Sequence, residues 1–117
     1  MSWLFQRRKS FGYAFRGVVT LFKEQPNAQI HALATIGVVT LAFYCEISRS
    51  EWRSLMLMVS LVWLAEGLNT ALEYLADAAV PEQHPLIEKA KDVAAAAVLI
   101  TAFFAVLMAA LIFLPLF

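Results

Sequence analysis

Apolar residues fall into three long runs separated by short polar stretches, with a segment of a different kind ahead of them. From Ala32 to Cys45 the chain reads ALATIGVVTLAFYC without a charge. With Gln29–His31 and Glu46–Ile47 added, this gives a span over about 29–47, near the ~20 residues needed to cross ~30 Å of hydrocarbon. Ser48-Arg49-Ser50-Glu51 then turns the chain. A second span runs over about 52–76, carrying Glu66, Asn69 and Glu73 in its later half. Asp77 to Lys91 is polar and holds Pro81 and Pro85, which a continuous helix would not tolerate, so it reads as a connection. The third span, about 93–114, is the cleanest and is ended by Pro115. Backbone groups in lipid must bond within their own segment, so each span predicts a helix.

Residues 10–24 follow another pattern. Phe11, Phe15, Val18, Val19 and Phe22 recur at helical spacing, while Arg16, Lys23 and Glu24 fall elsewhere. This predicts an amphipathic helix on the membrane surface, its basic residues toward anionic headgroups. The other reading extends the first span, and Pro26 argues for a break. The expected fold is an all-α integral membrane protein with three transmembrane helices and an N-terminal amphipathic surface helix, one domain over 1–117. A cleaved signal peptide is not expected, because Lys23, Glu24, Gln25 and Pro26 interrupt the early apolar residues.

Composition fits this reading. The chain is 62% hydrophobic and 15% charged, where a soluble one is about 45–50% apolar and about 25% charged. That excludes a soluble enzyme domain, a disulfide scaffold and a disordered chain. Nine basic and nine acidic residues cancel, so no overall field would draw nucleic acid. Cys45 is the only cysteine and cannot close an intrachain disulfide. Seven of the nine basic residues lie before the first span or in the 77–92 connection, and Arg49 and Arg53 lie between the first two spans. The excess puts the N-terminus and the acid-rich connection on the cytoplasmic side.

Six of the nine acids fall within residues 66–92. Glu66, Asn69, Glu73 and Asp77 sit at about 0°, 300°, 340° and 20° around a helix, one face within an arc of about 80°. An ionised carboxylate in the membrane costs at least ~2.5–3.5 kcal/mol, so such a face needs a cation among the acids or a wet cavity. An early exit of the helix into solvent would explain Glu73 and Asp77 without function, but hardly Glu66 and Asn69, flanked by LVWLA. Carboxylate and amide oxygens suit a hard ion such as Mg²⁺, which commonly binds through one or two carboxylates plus substrate phosphates. Lys89, Lys91 and Asp92 lie close by and could meet phosphate charge. No G-x-x-x-x-G-K or G-x-G-x-x-G is present, so a nucleotide site here is of another kind. His31 and His84 read as boundary or capping residues. A non-enzymatic alternative is a small oligomer whose acidic face lines an ion path or binds a partner helix.

The run Glu66-Gly-Leu-Asn69-Thr70-Ala-Leu-Glu73-Tyr-Leu-Ala-Asp77, then His84-Pro85-Leu86 and Lys89-Ala90-Lys91-Asp92 followed by the alanine run, resembles the prokaryotic diacylglycerol kinase family. Gly12-Tyr13-Ala14-Phe15-Arg16-Gly17 and Asn27-x-x-x-His31 are similar to it as well, and the match covers about residues 10–115. The Glu46–Trp52 turn and the His-Pro-Leu block are closer to its undecaprenol kinase branch. The resemblance implies a homotrimer with sites between subunits in the bacterial inner membrane. It would transfer the γ-phosphoryl of MgATP to a lipid alcohol, undecaprenol or diacylglycerol. It further implies Glu66 as general base and Glu73 as Mg²⁺ ligand, with Asn69 and Asp77 in support. Lys91 and Asp92 would contact nucleotide, and Tyr13 would lie near it. Eight residues on from Gly17, where the family has a second metal-binding glutamate, this chain has Gln25; the adjacent Glu24 is the substitute ligand, or Gln25 if the register is strict.

Overall fold

The computed structural model describes residues 2–117. Four α-helices follow one another: α1 Ser2–Glu24, α2 Pro26–Cys45, α3 Arg49–Ala79 and α4 Pro85–Phe113, with a 3₁₀ turn at Leu114–Leu116. α2, α3 and α4 are each long and apolar enough to cross a membrane. The 31 residues of α3 rise about 46 Å, well beyond the ~30 Å of hydrocarbon. The end of α3 that carries the acid row therefore has length to spare.

The helix boundaries follow local chemistry. α2 starts on Pro26, whose missing N–H is harmless in a first turn. It ends at Glu46, in the left-handed region at φ 51, whose N–H closes on Ala42 and Phe43 carbonyls. A reciprocal capping box opens α3: Ser48 Oγ accepts from the Glu51 N–H (3.1 Å), and the Ser48 N–H donates to Glu51 Oε1 (2.9 Å). His84 Nδ1 accepts from the Leu86 N–H at 3.1 Å and caps α4, the capping role read from its position.

Two starts differ from expectation by eight residues. α4 begins at Pro85, not near 93, because proline at the first helical position needs no donor; Lys89, Lys91 and Asp92 thus belong to the helix and the connection shrinks to 80–84. α1 begins at Ser2 rather than near 10; the Arg7–Lys9 run interrupts the apolar periodicity but not the helix. α1 has no buried residue.

α3 packs chiefly on α4 and more lightly on α2. A closed apolar cluster of Ala42, Ile47, Leu55, Ile112 and Phe113 joins the end of α2, the start of α3 and the end of α4. It lies far along the helices from the acid row. Between these two ends an apolar cavity of about 310 Å³ separates α2, α3 and α4, with His31 on its lining together with Thr35, Val38, Val59 and Ala105.

Candidate active site

The acid row of α3 grades from buried to exposed. Glu66 is 1% exposed and is the largest fully buried side chain among the described residues. Asn69 and Thr70 are also buried, Glu73 is half-buried, and Asp77 is exposed. The helical periodicity that placed Glu66, Asn69, Glu73 and Asp77 on one face therefore also orders them along a path from the subunit interior to its surface.

Their polar atoms are incompletely satisfied. Asn69 Nδ2 donates to Glu73 Oε1 at 3.5 Å, bridging one turn. Among the described residues, Glu66 Oε2, Asn69 Oδ1 and Thr70 Oγ1 are buried without a hydrogen-bond partner. Buried oxygens left in this state are costly. Three of them on consecutive turns of one helix mark a place built for something else to complete. His31 Nε2 lies 3.4 Å from Glu66 Oε2, within ion-pair range.

Two further contacts gather the surroundings. Tyr74 donates its hydroxyl to Glu24 Oε1 at 2.7 Å and accepts from Gln25 Nε2 at 3.1 Å. Both residues offered as the second metal ligand thus converge on one hydroxyl, next in sequence to Glu73. Lys91 Nζ on α4 pairs with Asp77 Oδ1 on α3 at 2.5 Å. Because both side chains keep substantial exposure, this pair contributes little to stability, and the lysine can be shared with another anion. α1 lies over this end of α3, with Phe22 against Trp63 (ring centroids 5.3 Å apart). A cleft lined by Gly17, Leu21, Gly67, Thr70 and Tyr74 separates the two helices.

Tyr13 and Asp92 stand apart. Tyr13 is exposed on α1, its ring covered only by the Arg16 guanidinium at 4.7 Å. Asp92 is exposed on α4 one position past Lys91. Sequence reasoning missed Tyr74 and the contact of His31 with Glu66; the latter had read as a boundary histidine. The four-residue step from Asn27 to His31 was the one local signal available. No three of the described His, Cys, Asp and Glu residues are gathered closely enough to hold a metal ion by themselves.

The comparison with known proteins agrees with the motif. The family described as prokaryotic diacylglycerol kinase matches residues 12–113. The chain is 38% identical over 107 residues to an undecaprenol kinase of Bacillus subtilis, covering 92% of this chain and 87% of that protein. It is 39% identical over 107 residues to a diacylglycerol kinase of Synechocystis, covering 91% of this chain but 61% of that protein. To a diacylglycerol kinase of Escherichia coli it is 30% identical over 99 residues, 85% of this chain and 81% of that protein.

Proposed function

The chain belongs to the prokaryotic diacylglycerol kinase family and is a membrane lipid kinase, and from that premise we propose that it phosphorylates undecaprenol, giving undecaprenyl phosphate. The observation that carries the reading is Glu66, a carboxylate buried at 1% exposure in a span, beside an apolar cavity that begins at His31. An acceptor brought there is a hydroxyl on a long apolar chain. The undecaprenol kinase relative is matched over most of both chains, which favours the polyprenol. The diacylglycerol kinase relatives supply the second reading, with phosphatidic acid as product.

In this scheme Glu66 takes the proton from the lipid's primary hydroxyl as that oxygen attacks the γ-phosphorus of ATP, and ADP leaves. General-base assistance of this kind is worth about 10²–10⁴-fold; the rest of phosphoryl transfer is positioning and charge compensation. Lys91, positioned by Asp77, offsets charge on the phosphates by exchanging that partner for them, Asp92 contacts the nucleotide, and Tyr13 lies near it on α1. The donor set fits Mg²⁺: Asn69 Oδ1 is buried and unpaired, and its amide nitrogen sits on the Glu73 carboxylate. Glu73 and Asn69, with Glu24 brought over by Tyr74 or else Gln25, would hold the ion, with phosphate oxygens and water filling the remaining positions. When bound, Mg²⁺ neutralises phosphate charge.

A subunit only 21 Å thick offers too little wall for both substrates, which supports a homotrimer with sites completed between subunits. α1, amphipathic and without buried residues of its own, lies at the surface of the bacterial cytoplasmic membrane. The Lys/Arg distribution puts that helix and the site on the cytoplasmic side, where ATP is.

A transfer assay with radiolabelled ATP, Mg²⁺ and both lipids tests the reading. Undecaprenol is expected to be labelled in preference, and Glu66→Gln to fold while losing about 10²-fold or more of turnover. Preference for diacylglycerol reverses the acceptor; a folded Glu66→Gln variant with normal turnover removes the base.

A further inference from the structure

Glu66 has a neighbour to which the transfer scheme gives no task. We propose that His31 is a positioning residue for Glu66. Its imidazole reaches across from α2 and holds the buried carboxylate so that one oxygen is presented to the acceptor hydroxyl. This rests on the reading of Glu66 as base.

Three observations carry it. First, Glu66 Oε2 is sealed from solvent and accepts no hydrogen bond among the described residues, while His31 Nε2 stands 3.4 Å away. A carboxylate carried into the interior needs a donor or a counter-charge, and the imidazole is the one at hand. Second, the turn of α2 that carries the imidazole is tied to α3 through the His31 backbone carbonyl. Thr35 Oγ1 donates to the His31 carbonyl at 2.7 Å and accepts from Trp63 Nε1 at 3.1 Å. The hydroxyl's single proton and a lone pair are thereby both used. The Trp63 ring meets the His31 ring edge-on, centroids 6.2 Å apart and planes at 68°, and Phe22 of α1 packs against the same indole.

Third, these contacts join three helices at the place where chemistry is assigned. Trp63 is three residues before Glu66 on α3, so the indole that orients His31 and the carboxylate that His31 faces lie on neighbouring turns. A shift of α2 against α3 changes both contacts together. His31 therefore translates helix packing into the orientation of one carboxylate, the part that an outer partner plays for a functional group.

Steady-state kinetics on the full-length chain in lipid nanodiscs tests this. His31→Ala is expected to lower kcat by about 10- to 100-fold, with KM for MgATP and for lipid within about twofold of the parent, since a residue acting through Glu66 alters transition-state stabilisation rather than ground-state binding. His31→Gln, which keeps an N–H donor, is expected to recover most of the loss and also serves if the alanine variant fails to fold. Glu66→Asp withdraws the carboxylate from the imidazole by one methylene. Adding His31→Ala to it should cost far less than in the parent, because residues acting as a unit are not additive. Unchanged kcat in His31→Ala, a raised KM at full kcat, no recovery by His31→Gln, or a fully multiplicative double variant each overturns the proposal. Failure of the base reading looks different: Glu66→Gln then turns over normally, whatever His31 does.

Discussion

Tyr74 joins two parts of the candidate site that the sequence lists fifty residues apart. Its hydroxyl takes one hydrogen bond from Gln25 and gives one to Glu24, and its ring is 42% exposed. Tyr74→Phe removes both bonds while keeping the ring. Because the hydroxyl is exposed, the stability lost should stay below about 1 kcal/mol, while the Glu24 carboxylate loses the hydroxyl that holds it. The expected outcome is a thermal midpoint close to the parent's and a KM for MgATP raised several-fold. An unchanged KM would take Glu24 out of nucleotide binding. Glu66 and Asn69 were legible as buried polar groups because a helix repeats locally: a charge flanked by LVWLA is inside whatever the partners are. Their partners were not legible. His31 meets Glu66 across thirty-five residues and Tyr74 meets Glu24 across fifty, and no periodicity within one helix records which turn of another faces it.

At the scale of elements, boundaries are set by a few capping side chains. Ser48 and Glu51 satisfy each other's backbone donors at the start of α3, so Ser48→Ala should destabilise the protein by about 0.5–2 kcal/mol. Denaturant titration in mixed micelles measures this, and no turnover change is expected per folded molecule, since the cap lies at the far end of α3 from Glu66. Three spans could be read from three long apolar runs, because lipid forces the backbone of each to bond within itself. The starts of α1 and α4 were misplaced for one shared reason. Charges and prolines mark where a helix leaves hydrocarbon, not where it ends, and a helix continues into water as long as its first turn is capped. For α4 the consequence is that Lys91 stands on a helix opposite Asp77 rather than on a loop.

At the scale of the molecule, the subunit is thin, with extents of 51 × 46 × 21 Å. Large apolar side chains such as Leu33, Ile36, Phe43, Leu99, Phe103 and Val106 are exposed, as suits a chain surrounded by lipid. Among the described residues no three of His, Cys, Asp and Glu gather at the proposed site, which leaves room there for phosphate oxygens, water or a neighbouring chain. Native mass spectrometry from nanodiscs, or cross-linking in membranes, is expected to give three protomers, and activity to follow the trimeric fraction. Full turnover from a monomer would make the single subunit sufficient. Nothing in one sequence displays a neighbour's side chains, so the expectation of three protomers rests on the resemblance to a family.

The closed apolar cluster around Ala42, Leu55 and Phe113 ties the far end of α2 to α3 and α4 and would be the fulcrum of any tilt of α2. His31 lies eleven residues from Ala42 along α2, a lever arm of about 16 Å. A rocking of α2 by about 4° about that fulcrum swings the imidazole by about 1 Å, a displacement that can alter a rate by about 10²-fold. On the proposed scheme, bilayer thickness, by setting the tilt of one helix, would throttle the chemistry at the other end of that helix.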